Sequence, residues 1–116
     1  MHNYKELEVW KKSVSLAERI YNLTKDFPDS EKFGLTSQMR RSSVSVASNI
    51  AEGAGRNGKG EFGQFLGYAY GSSCELETQV LIAFKVKLIG EEEKDLSVGC
   101  IDEIQKMIFS LKKTLK

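Results

Sequence analysis

A single proline, Pro28, interrupts 116 residues, and on both sides of it apolar residues return every three or four positions. That pattern confines the chain to amphipathic helices joined by short links. In residues 5–26 the positions Leu7, Trp10, Val14, Ala17 and Tyr21 follow a 3-4-3-4 spacing, and Ile20 widens the stripe. Lys11, Lys12, Glu18, Arg19 and Lys25 fall elsewhere, on a solvated face. The helix is expected to end near Phe27-Pro28, because proline restricts the residue before it. Asp29 and Ser30 are suitable N-caps for a second helix running from Glu31 or Leu35 to about Glu52. Leu35, Met39, Ser42 or Ser43, Val46 and Ile50 form its stripe, and its many serines would let a neighbouring helix approach.

A third helix is expected from Lys59–Phe62 to about Ile89, with Gly63, Gly67 and Gly71 stacked at intervals of four as a close helix–helix contact. Gly90 is expected to cap its C-terminus. The fourth helix opens with Glu91, Glu92, Glu93 and Asp95, carries Ile101, Ile104, Ile108, Leu111 and Leu115, and closes with Lys112, Lys113 and Lys116. That charge order suits the helix dipole. The fold class is therefore all-α: one domain over residues 1–116, an up-down-up-down antiparallel four-helix bundle.

Residues 53–60, G-A-G-R-N-G-K-G, resemble two phosphate-binding motifs at once. G-x-x-x-x-G-K is a P-loop without its Ser/Thr, since Gly60 follows Lys59, and G-x-G-x-x-G is a dinucleotide fingerprint. Both need a strand before the loop. The preceding V-S-V-A-S-N-I-A-E reads as helix, so the stretch is expected to be a turn in which Gly53 ends helix two and residues 54–60 form the link. Arg56 and Lys59, beside the next helix N-terminus, could hold a loose anion.

The same economy applies to other chemistry. The one histidine, His2, sits at a terminus, and the two cysteines, Cys74 and Cys100, form no C-x-x-C pair. No metal, cofactor or catalytic triad is expected, and the thiols are expected to be buried and free. Glu75 and Glu77 lie two apart on a helix and point different ways. No apolar run approaches a membrane span and the N-terminus lacks a signal core, so a cytoplasmic, non-enzymatic protein is expected. Net charge is +1, with ten basic and seven acidic side chains in residues 1–60 against seven and nine in the rest. That excess is too mild to predict nucleic-acid binding from bulk charge.

The segments F-P-D-S-E-K-F-G-L-T-S-Q-M-R-R-S-S-V-S-V-A-S-N-I-A-E-G-A-G-R and F-L-G-Y-A-Y-G-S-S-C-E-L-E, with E-V-W-K-K-S-V-S-L near the start, resemble the four-helix-bundle proteins of 23S ribosomal RNA intervening sequences. The resemblance is weakest after Gly90. Ser42 departs from it, where alanine is usual, and so does Tyr70, where arginine is common. It implies a homo-oligomer, typically a ring of five. Accessory proteins of diversity-generating retroelements are similar in fold, but they are basic, bind nucleic acid and partner a reverse transcriptase.

Arg40, Arg41, Asn49, Glu52, Gly53, Arg56, Gly71, Ser72 and Glu75 match the family motif. One reading is structural: Arg40 or Arg41 pairs with Glu52 or Glu75, Asn49 caps a turn, and Gly71 permits close packing, so that Gly71→Leu would disrupt it. The other gathers Arg40, Arg41, Arg56 and Lys59 into an RNA-phosphate patch at one end of the bundle. Tyr68 and Tyr70 would stack on bases or make subunit contacts. The expectation is a self-assembling binding or scaffold module with RNA or a ribonucleoprotein as ligand. The alternative is a protein-binding adaptor without nucleic-acid contact.

Overall fold

A computed structural model describes residues 3–115; His2 and Lys116 lie outside them. The long helices are α1 (Glu8–Thr24), α2 (Leu35–Ala54), α3 (Lys59–Lys85) and α4 (Glu91–Lys113), with single 3-10 turns at Tyr4–Glu6 and Asp29–Glu31. No strand occurs among the described residues. Each helix packs on the next and α4 packs on α1. Contacts join Ser42 to Glu75 and Ser45 to Ser72 across α2 and α3. Gln105 reaches Ser73, and Lys112 lies against Gly67, across α3 and α4. Lys12 meets Glu103, and Arg19 meets Glu93, across α1 and α4. In each pair the numbers fall on one helix as they rise on the other, so those neighbours run antiparallel.

The core is mostly aliphatic, with Phe62 its largest side chain. Ile20, Met39, Ile50, Leu66, Leu76, Ile101, Ile104 and Ile108 are buried. The stripes of α2 and α4 match the sequence pattern at Met39, Ser42, Ser43, Val46 and Ile50, and at Ile101, Ile104 and Ile108. The stripe of α1 does not. Its buried residues are Val9, Ser13, Leu16, Ile20 and Thr24, whereas Val14 and Tyr21 are 42% and 45% exposed. Two adjacent stripes compete on this helix, and the one that looks polar wins. Ser13 Oγ donates to the Val9 carbonyl at 2.7 Å and Thr24 Oγ1 to that of Ile20 at 2.8 Å. A hydroxyl bonded back to its own helix is satisfied, so small Ser and Thr side chains fill the close approach at little cost.

The helix ends differ from expectation in three places. Asp29 and Ser30 form the turn before α2, and the cap comes from Glu31, whose Oε1 accepts from Leu35 N at 3.2 Å. The α2–α3 link is only residues 55–58, because α2 continues through Gly53 to Ala54. Helix α3 stops at Lys85, well before Ile89. There Leu88 N bonds the Ala83 carbonyl at 2.8 Å and Lys87 N that of Phe84 at 3.0 Å, a Schellman closure that puts Lys87 at φ 68°. A lysine thus takes the left-handed place usually given to glycine. Gly90 is extended (φ −83°, ψ 173°) and begins α4 rather than ending α3.

The stacked glycines are not a crossing point within the chain. A Cβ at Gly63 or Gly71 would meet nothing within 4 Å, and one at Gly67 only the tip of Lys112 at 3.6 Å. The tight contact is at Gly53, where a Cβ would lie 2.7 Å from Phe65 Cβ and 3.1 Å from Phe62 Cδ1. At the α3–α4 end, Lys94 lies over the Phe84 ring. Its hydrogen bond to Asp95, at 2.7 Å, raises its pKa above the ordinary lysine value against the opposing effect of desolvation, with further attraction from Asp95 and Glu91. A raised lysine pKa stabilises the fold at every pH below the unfolded value near ~10.4 and is lost only as pH climbs through the folded one.

Candidate functional site

The motif residues of the resemblance divide into a seam and two separate cationic places. The seam runs between α2 and α3. Ser42 Oγ donates to Glu75 Oε1 at 3.2 Å, Ser45 and Ser72 share a hydroxyl–hydroxyl bond of 2.8 Å, and Asn49 Nδ2 donates to the Ser45 carbonyl at 2.9 Å and its Oγ at 3.0 Å. Asn49, Ser72 and Glu75 therefore come together, but Asn49 bonds back inside its helix instead of capping a turn. Glu75 is held by a serine instead of an arginine. Gly71 is exposed, and Gly53 alone carries the close packing.

The four cationic residues are not one patch. Sixteen positions separate Arg40 from Arg56, roughly 24 Å along a helix axis, so they mark opposite ends of α2. Two of them are engaged within the chain. Arg40 Nε donates to Thr24 Oγ1 at 2.9 Å, an Nη to the Tyr21 carbonyl at 3.3 Å, and its guanidinium lies over the Tyr21 ring at 4.6 Å. Arg56 bridges Glu52 at 2.8 Å and Glu61 at 3.5 Å over the Phe65 ring. The Glu52 partner is thus Arg56, one turn away, because the chain bends just past Ala54 and swings that guanidinium back. Arg41 and Lys59 are exposed and make no hydrogen bond or ion pair among the described residues.

Arg41 stands between two grooves. One, about 630 Å³ between α1 and α2, includes Tyr21, Lys32, Phe33, Arg40, Arg41 and Val44. Phe33 is 89% exposed there, with the Lys32 ammonium 5.6 Å from its ring centre. The other, about 350 Å³ on the α2–α3 seam, is lined by Gln38, Arg41, Ser42, Ser45, Glu75 and Gln79. Gln79 is only 6% exposed and its Oε1 has no hydrogen-bond partner. A buried acceptor left unpaired costs about 1–3 kcal/mol.

Sequence reasoning passed over Lys32, Phe33 and Gln79. Gln79 was reachable: it follows Glu75 by one helical turn, so the two share a face. Phe33 lies in the bend before α2, where no periodicity assigns a side. The thiols were misplaced too, since Cys74 is exposed and Cys100 half-buried, each one position off its helix's buried stripe. Among the described residues, no group of His, Cys, Asp and Glu could hold a metal ion. No described helix is long and apolar enough to cross a membrane.

The glycine-rich stretch is preceded by α2, so the strand that a phosphate loop requires is not there. Gly58 precedes α3 and adopts extended backbone, and Arg56 beside it is already between two carboxylates.

A family model described as 23S rRNA-intervening sequence protein matches residues 5–110. Among solved structures, a crystal structure of a protein of unknown function from the S23 ribosomal protein family of Bacteroides thetaiotaomicron is similar. It is 28% identical, its match covers 90% of this chain and 95% of that one, and the TM-score is 0.84. No curated protein matches.

Proposed function

The chain belongs to the 23S rRNA-intervening sequence protein family, and from that premise we propose a non-enzymatic, cytoplasmic, up-down-up-down bundle that assembles with copies of itself and acts as a binding module. The observation that carries this is the apolar surface a single bundle leaves uncovered. Helix α3 is apolar on more than one side. Leu66, Leu76 and Val80 fill the core, while Leu81 and Ile82 near its C-terminal end remain exposed, as do Val86 just past it and Leu96 and Phe109 on α4. Exposed apolar side chains gathered on a surface mark a place suited to burial against another body. Chains of this size also gain stability from burying surface against copies. The ring of five implied by the family resemblance gives a mass of about 65 kDa, five times the 13.0 kDa chain. Light scattering on the eluting protein tests this, and a 13.0 kDa species at micromolar concentration would overturn it.

A second reading, contact with RNA, is favoured by the free Arg41 beside Lys32 and the bare Phe33 ring. An unpaired base could stack on that ring while the cations meet phosphate. Arg40 and Arg56 are not part of this reading, since both are engaged within the chain. Fluorescence anisotropy with single-stranded and hairpin RNA across a salt series separates the two. If RNA binds, Lys32→Glu with Arg41→Glu should weaken it at least about tenfold and flatten the salt slope by roughly 0.7 for each phosphate no longer neutralised. No binding at low salt leaves a protein-binding adaptor.

A further inference from the structure

Two groups facing the α2–α3 groove are unfinished within this chain, and they complement each other. Arg41 brings a full positive charge with five donors and no acceptor of its own. Gln79, buried across from it, brings a carbonyl oxygen with nothing to accept from. Between them stands Glu75, one of whose oxygens accepts from Ser42, leaving the other open. The Ser45 hydroxyl is held by Ser72 and Asn49. Arg41 thus brings positive charge to the groove from α2 and Glu75 negative charge from α3, and the net charge of the two is zero.

We propose that this groove binds a small polar α-amino acid as its zwitterion, with the carboxylate on Arg41 and the ammonium on Glu75 and the Gln79 carbonyl. A simple anion satisfies Arg41 but meets Glu75 with like charge. A simple cation satisfies Glu75 and meets Arg41. A molecule carrying both charged groups on one carbon meets neither penalty. The space of about 350 Å³ is at the small end of ligand clefts, which suits a ligand of this size. Reaching the Gln79 oxygen takes rotation of its terminal amide, a broad and roughly two-fold torsion. The Gln38 and Ser42 side chains on the rim favour a polar ligand over an apolar one.

Titration calorimetry on the assembled protein with L-glutamine, glycine, acetate and ethylammonium tests this. The expected result is saturable binding of L-glutamine and glycine at one site per chain, with acetate and ethylammonium each weaker by at least about tenfold, because each can make only one of the two charge-assisted pairings. Arg41→Ala and Gln79→Leu should each weaken it by at least about tenfold. Both variants should stay folded, since Arg41 is exposed and unpaired and leucine removes an orphan acceptor. Retained melting temperature makes the weaker binding readable as damage to the site. No saturable heat with either amino acid overturns the proposal, as does acetate binding as tightly as L-glutamine, or full binding in either variant.

Discussion

Gly53→Ala is expected to lower the stability of the fold by about 2 kcal/mol, the balance of an overpacking cost of about 3 kcal/mol, at the upper end for such changes, and a gain in helix propensity. The new methyl would sit 2.7 Å from Phe65 Cβ and 3.3 Å from the Phe62 carbonyl. Neither is the free end of a flexible chain, so α3 itself must move away from α2. Alanine's better helix propensity returns only ~1 kcal/mol. For a chain of this length the net loss lowers the melting temperature by roughly 10 °C. Gly71→Leu makes the contrasting case: a Cβ there meets nothing within 4 Å, so the melt should hold or rise. Thermal unfolding followed by circular dichroism at fixed protein concentration compares the two. An unchanged melt for Gly53→Ala, or a collapsed fold for Gly71→Leu with unaltered oligomer size, would reverse the assignment of the close crossing.

Leu76→Ala should cost about 2–5 kcal/mol, the range for a fully buried leucine truncated to a methyl. Leu76 has no accessible surface and stands on α3, which packs against both α2 and α4. Urea unfolding reads the effect directly as a lower midpoint at unchanged slope. A midpoint within the error of the parent would mean that α3 turns a different face to the core.

Most of the fold was legible because helical periodicity is a long-range statistic. The stripe of α4 repeats Ile101, Ile104 and Ile108, and no single residue decides it. Helix α1 failed for a local reason: Ser13 and Thr24 look polar until their hydroxyls are seen to bond back to Val9 and Ile20. The end of α3 failed similarly, because Lys87 takes a left-handed conformation that composition assigns to glycine. The site was harder. Which arginine is engaged depends on neighbours distant in sequence. Arg40 reaches back to Tyr21 and Thr24 on another helix, whereas Arg41, one position on, points where no partner comes. Adjacent residues on a helix diverge by about 100°, so one is tied in and the next left out.

The four-residue link between α2 and α3 also bears on how the chain folds in time. It makes the most extensively packed helix pair a local hairpin, since Ser45 meets Ser72 and Gly53 meets Phe62. Closing a short loop takes little entropy and happens within microseconds. The α1–α4 contacts are different: Arg19 and Ser97 are 78 residues apart. The α2–α3 hairpin is therefore expected to assemble before the rate-limiting barrier, with α1 and α4 docking later, so substitutions at Gly53 should slow folding while those on the α1–α4 seam mainly hasten unfolding.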